Sequence, residues 1–365
     1  MRGRLKRVLI PLSIVALVGV VTTGTASAKT INVKSGDSIQ AAVDKAKEGD
    51  TINVAKGTYK ENVEISKNGI TLVGKNATIV PPSKPHKGSV CWAPKDKSSH
   101  SGICIVPKDF DFENFALGSD PAISGTSVSG FTFKGFTGNG IIAFGAEDTE
   151  MTDNTSINAG EYGFAAFVST GTTITGNSAT AKGGEAGIYI GSSPDSQAVV
   201  RDNTSKGAAN GIFLRDAKNA TFEDNELTGN CIGILVLGDS PGPVGDSTIT
   251  NNKITKNDKF CPAEDEGPAN GGVGIAIASG SGITATGNTI TDNKVTQDAQ
   301  ITGGVVVVAP PGENGAGTPP DNNSFTGNTI SGNNPDIVYD GSGSGNTFTG
   351  NTGCTTSQPE GLCAG

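Results

Sequence analysis

Bulk and charge are scarce in this chain. Of its 365 residues 5% are aromatic, 17% charged and 35% hydrophobic, with one tryptophan and two histidines. Ordinary helical bundles and Leu-rich doubly wound sheets look different, so those classes are excluded. Val, Ile and Phe nevertheless recur throughout, which excludes wholesale disorder. Neither a Cys-x-x-Cys nor a pair of histidines accompanies the cysteines, which argues against zinc. What is abundant is glycine, 53 residues, together with 18 prolines. A composition of this kind sends the search to internal repeats before domains.

The first 28 residues read as a secretory signal. Arg2, Arg4, Lys6 and Arg7 form a basic start, Val8 to Val21 an apolar core, and Ala26-Ser27-Ala28 a small-residue cleavage site. The apolar run is shorter than the roughly 20 residues of a membrane span, and no second candidate follows. A secreted, extracellular product without a membrane anchor is expected. Cleavage removes four of 27 basic residues and leaves 23 against 36 acids, a net charge of −13. Nucleic acid is excluded as a partner, since polyanion binding rests on Lys and Arg. The six cysteines suit an oxidising exterior. Nearest neighbours in sequence give three modest loops, Cys91–Cys104, Cys231–Cys261 and Cys354–Cys363, among 15 arithmetical pairings.

The repeat has two landmarks. Asparagine recurs as Asn154, Asn177, Asn203, Asn225, Asn252, Asn288, Asn328 and Asn351, with an apolar residue three places before nearly every one. Glycine before an apolar pair recurs at Gly140, Gly163, Gly187, Gly211, Gly233, Gly274 and Gly304. The early steps of 22 to 24 residues fit one coil of three short strands; the longer later ones read as loop insertions. Asparagine suits a turn position of positive φ and, stacked coil on coil, a side-chain ladder. Alternation turns Ile212 and Leu214, Ile234 and Val236, and Ile275 and Ile277 inward. Each coil buries its core against its neighbours, so both ends need caps. At the N-terminus a helix starting at Asp37-Ser38-Ile39-Gln40 and running through Ala46 supplies one, followed by strands over 51–54, 63–65 and 70–73 with a turn at Gly57-Thr58-Tyr59.

The stretch SIQAAVDKAKEGDTINVAKGTYKENVEISKNGITLVG (38–74) and the repeats after it resemble the right-handed parallel β-helix superfamily of pectin-lyase-like proteins. The repeats are similar to those of carbohydrate-binding and sugar-hydrolysing β-helices and NosD-type proteins. The resemblance implies an all-β fold, a single-stranded right-handed parallel β-helix of about ten coils with a short N-terminal capping helix. The organisation expected is a signal peptide over 1–28, a cap and first coils over 29–80, and a disulfide-clipped insertion over 81–125. The repeats then run over 126–352, and a disulfide tail over 353–365. Trp92, His86 and His100 fall in the insertion, as parts of a packed lid.

In this superfamily the cleft follows the outer face of the Gly-Ile strands, where Ile142, Ala165, Tyr189, Phe213, Leu235, Ala276 and Val306 should project. The aspartates of polygalacturonase-like hydrolases are replaced by Tyr162, Ala186, Asn210 and Ile232, which do not supply acid–base chemistry. The signature segments of methylesterase-like and mannuronan-epimerase-like relatives are missing as well. What remains is lyase chemistry, proton abstraction beside a uronate carboxylate, with Arg215 as base or cation and Asp216, Asp239 and Glu185 as polar partners. Tyr189 and Phe213 would form a sugar platform, with Lys182, Lys206 and Glu161 as further contacts. Glu161 and Glu185 should stack one coil apart, as should Lys182 and Lys206. Arg201 reads as a cross-strand salt bridge to Glu223. No cofactor is required; calcium is the one candidate, held by Asp258, Glu264, Asp265 and Glu266.

The expected partner is an extracellular, acidic polysaccharide, and the expected state a monomer. Two alternatives stand beside lyase action. One is a non-catalytic glycan-binding or cell-surface structural β-helix. The other is ice or crystal binding through a Thr-x-Thr face, carried by Thr173/Thr175, Thr248/Thr250, Thr284/Thr286 and Thr347/Thr349, with Ser324/Thr326 conforming and Arg201 and Glu223 interrupting. Threonine is also simply a favoured strand residue.

Overall fold

A computed structural model of the chain describes residues 27–84, 89–91, 99–114, 116–119, 121–239, 243–263, 267–309 and 319–364. Most of the expected signal, together with His86, Trp92, Glu264, Asp265 and Glu266, lies outside them. The structure is a right-handed parallel β-helix with, among the described residues, one α-helix, Ile39–Lys45. Ser38 caps that helix, its hydroxyl accepting from the Ala41 N–H, and Lys67 Nζ donates to the carbonyls of Val43, Asp44 and Ala46 at the far end. Among the described residues no helix is long and apolar enough to cross a membrane.

The Gly-Ile strands pair in parallel through eleven rungs, from Val63–Ile65 to Ser357–Gln358. Their register follows the repeat: Phe164, Ile188, Ile212, Ile234, Ile275 and Val305 stack as one inward column. All six are fully buried. The repeated glycine has a steric cause. A Cβ on Gly163 or Gly211 would lie 2.5 Å from the carbonyl oxygen of the matching glycine in the next rung. Only a column without side chains closes this corner of the coil.

The asparagine ladder is continuous. From Asn154 to Asn351 each Nδ2 donates to the next Oδ1 at 2.9–3.1 Å, and each backbone N–H donates to that same oxygen. The positive φ expected of these residues belongs instead to the residue before each. Asp153, Gly176, Asp202, Asp224, Asn251, Gly287, Gly327 and Gly350 all have φ between 54° and 69°. The left-handed residue makes the corner and thereby points the following amide inward, where it joins the ladder.

A second ladder, Asn230, Asn257, Asn293 and Asn333, runs along another corner and ends on the Asp336 carboxylate. Each member lies five residues after a member of the first, a spacing that was readable in the sequence. Gly57–Lys60, expected as a turn, is a strand paired in parallel with Ala77–Val80. The three disulfides join Cys91–Cys104, Cys231–Cys261 and Cys354–Cys363, as the nearest-neighbour pairing anticipated.

Candidate functional site

The outward column reads Cys104, Ile142, Ala165, Tyr189, Phe213, Leu235, Ala276 and Val306 in register. Tyr189 in this column is no open sugar platform. Its ring stacks on Phe167 at 4.5 Å and 25°, packs against Tyr162 at 4.5 Å, and the residue is 2% exposed. Phe167 in turn stacks on Phe144 at 5.3 Å, and Phe110 from the 106–122 segment closes over Phe144. Rings stacked face to face along the axis leave no face for a pyranose. The Tyr189 ring lies over Gly191, where a Cβ would meet its Cζ at 2.5 Å.

Beyond Tyr189 the face opens into a groove of about 800 Å³. Leu235 and Phe213 line its floor, Phe213 only 3% exposed and therefore no open sugar platform either, and Glu161, Lys182 and Glu185 come from the turns entering the Gly-Ile strands. Tyr162 pairs with Ala186, so Glu161 and Glu185 occupy neighbouring rungs. Tyr162 donates its hydroxyl to Glu185 Oε2 at 2.7 Å, and burial, with Glu185 adding to it, pushes its pKa above the ordinary phenol value. Asn139 Nδ2 reaches Glu161 Oε2 at 3.4 Å.

Arg215 stands at the end of the groove. Its Nε and a terminal nitrogen donate to the two Asp239 oxygens at 2.9 and 2.6 Å, a bidentate pair. Burial opposes the positive charge, but the Asp239 carboxylate outweighs it and holds the guanidinium protonated more firmly than usual. Of the two roles expected of Arg215, base or cation, the pairing favours the cation. Asp216 takes a φ of 50° and does not line the groove. Strand alternation would have turned its carboxylate into the core, and the left-handed backbone avoids that.

Lys182 and Lys206 are not stacked. Lys206 pairs with Thr180, because the turn following Thr180 is two residues longer than the one following Lys206. Lys182 therefore reaches the groove and Lys206 does not. Arg201 meets Glu223 at 3.4 Å across neighbouring strands, a surface pair. Of the acidic loop only Asp258 is described, and it is exposed.

Among the groove residues that the sequence did not suggest are Lys259 and Phe260. They sit in an insertion whose strand Phe260–Cys261 pairs antiparallel with Asn270 and Gly271, and whose Cys261 is bonded to the buried Cys231. Lys259 Nζ donates to the Gly207 carbonyl at 2.8 Å, and burial lowers its pKa. The only hint in sequence was the cysteine that pins the loop.

A family model described as periplasmic copper-binding protein (NosD) matches residues 119–305, just over half of the chain. No curated protein matches. Among solved structures, a PL6 alginate lyase in complex with a trisaccharide is 14% identical, with a TM-score of 0.57 over 91% of this chain and 81% of that one. The family 28 exopolygalacturonase of Yersinia enterocolitica is 13% identical, with a TM-score of 0.54 over 91% and 77%. The Dettilon tailspike protein is 14% identical, with a TM-score of 0.55 over 90% and 60%. At these identities the likeness is one of fold.

Proposed function

The chain belongs to the NosD family, and from that premise we propose that it is an exported β-helix acting on an acidic polysaccharide by lyase-type cleavage. The observation that carries the reading is the groove itself. It gathers a firmly protonated arginine, a lysine whose pKa is lowered by burial, and the Glu185 carboxylate on one wall-and-floor surface.

In this reading Arg215 neutralises the uronate carboxylate. A guanidinium has five N–H donors and two are given to Asp239, so the others remain for substrate. Asp239 fixes its orientation. Lys259 is the base, since a lowered pKa raises the fraction of neutral amine near neutral pH. Its nitrogen takes the proton on the carbon next to the carboxylate, and the electrons of that C–H bond form the new C=C bond. The glycosidic C–O bond breaks, and the ammonium just formed returns the proton to the leaving oxygen. Lys182, Glu161 and Glu185 contact the sugar residues.

The family description names copper, which takes imidazole, thiolate and thioether ligands. Here the described cysteines are all in disulfides, Met151 is fully buried, and His100 is the single histidine among the described residues. No group of three His, Cys, Asp or Glu among the described residues could hold a metal. The described residues do not fit a copper centre, and no step is drawn through one. Export is supported by the three disulfides, the basic and apolar leader, and the periplasmic description of the family.

The test is ultraviolet absorbance of the new double bond, conjugated with its carboxylate, after incubation with alginate, pectate and glycosaminoglycans. Absorbance that rises with the wild type and is lost in Lys259→Met and Arg215→Ala supports cleavage. Non-catalytic glycan binding is the second reading, favoured by the mutual pairing of Arg215 with Asp239 and of Tyr162 with Glu185. Silence on every substrate, with retained affinity for one of them, selects it.

A further inference from the structure

Away from the groove, the last four rungs carry a second ordered surface. Thr248, Thr284, Ser324 and Thr347 stack in one rank, and Thr250, Thr286, Thr326 and Thr349 in the next. Past the asparagine corner a second face continues the pattern with Thr289/Thr291 and Thr329/Ser331, and with Thr352 beside Thr329. No register shift interrupts these pairings, and the Asn252–Asn288–Asn328–Asn351 ladder locks the corner between the faces. Hydroxyls touch along and across the ranks: Thr326 to Thr349 and Thr329 to Thr352 at 3.3 Å, Ser324 to Thr326 at 3.0 Å.

We propose that the first of these faces, Thr248/Thr250 to Thr347/Thr349, binds ice. Its methyls and hydroxyls repeat at about 4.8 Å along the axis and about 6.7 Å across it. Both spacings lie near repeats of water oxygens on the prism faces of ice.

Other occupants are disfavoured by charge, ring content and area. None of these eight positions is charged, in a chain of 27 basic and 36 acidic residues, so ionic minerals and polyelectrolytes find no counter-charge. No aromatic side chain stands on the face, since Phe325 and Phe348 point inward, so crystalline glycan has no flat apolar row to lie on. The face covers on the order of 100–200 Å², well below the roughly 800 Å² per partner of a stable protein interface. What remains is an extended, uncharged lattice of water. This inference does not rest on the reading of the groove.

The experiment measures ice recrystallisation and thermal hysteresis of the full mature chain, with Thr286→Tyr, Thr326→Tyr and the control Thr152→Tyr. Thr152 belongs to the same rank but lies beyond Arg201 and Glu223. The wild type and the control should inhibit recrystallisation, and the two patch variants should need about tenfold more protein. Unchanged thermal melts establish that the variants are folded. An inactive wild type, patch variants as active as the parent, or retention of the protein by crystalline cellulose or chitin in place of ice would each overturn the proposal.

Discussion

Replacing Asn288 by alanine tests the ladder at its centre. Its Nδ2 donates to Asn328 Oδ1 at 2.9 Å and to the Ile249 carbonyl at 2.8 Å. Its Oδ1 accepts from the backbone N–H and the Nδ2 of Asn252 at 2.9 and 3.0 Å. Alanine removes all four bonds in a site 1% exposed. The losses are unequal. Asn328 Oδ1 keeps the Asn288 backbone N–H, and Asn252 Nδ2 keeps the Phe222 and Thr250 carbonyls. The Asn252 N–H loses the acceptor it has here, whereas the Ile249 carbonyl loses the amide but keeps its place in the parallel strand ladder. The one orphaned buried group costs about 1–3 kcal/mol and the other bonds lost about 1 kcal/mol more, so destabilisation should be about 2–4 kcal/mol. That is a large share of the roughly 5–15 kcal/mol that holds a typical domain together. Urea unfolding followed by circular dichroism reads it directly. Asn288→Asp, which keeps the acceptor but loses both donors, should be no better. A loss below about 0.5 kcal/mol in Asn288→Ala, the range of ordinary surface substitutions, would refute the reasoning.

Asp239→Asn breaks the bidentate pair and frees the Arg215 guanidinium to move, so glycan affinity should fall about tenfold or more with little change in melting temperature, read by calorimetric titration. Cleavage should rise with pH and level off below the ordinary lysine range, because burial lowers the Lys259 pKa and only the neutral amine takes a proton. Lys259→Arg should lose that rise, and a pH–rate profile unchanged in this variant would dismiss Lys259 as the base. The double variant Cys231→Ser, Cys261→Ser opens a loop closed over 30 residues and should lower stability by about 3–4 kcal/mol in a denaturant melt. It should weaken glycan binding too, since Lys259 and Phe260 ride on that loop; unimpaired binding would show that the loop forms no part of the site.

What the sequence made legible was whatever repeats. The Gly-Ile step fixed the inward column of Ile188, Ile212 and Ile234, and with it the outward column that carries Tyr189 and Phe213. The asparagine ladder was legible for the same reason, although the left-handed conformation belonged to the residue before each. A corner needs one residue to turn the chain and the next to fill the inside, and composition alone does not separate the two. The site residues that were misread all depend on something aperiodic. Tyr189 was expected to be open because alternation points it outward, but Phe167, Tyr162 and Gly191 decide that its ring lies flat along the stack. Lys206 was expected beside Lys182, and a turn longer by two residues separates them.

Lys259 makes the physical point most directly. It belongs to no repeat, and a disulfide together with an antiparallel pairing brings it to the floor built by the coils. A solenoid writes its scaffold in the period and its chemistry in the departures from it. On the proposed function, the inserted loop held by Cys261 is what would give this chain its substrate contacts. If Cys261 is the anchor, moving the loop by one residue should cost binding while leaving the ladders intact. An insertion of one glycine after Lys259 is expected to keep the cooperative melt and lose glycan affinity. A variant that kept both would mean that the groove works through its coils alone.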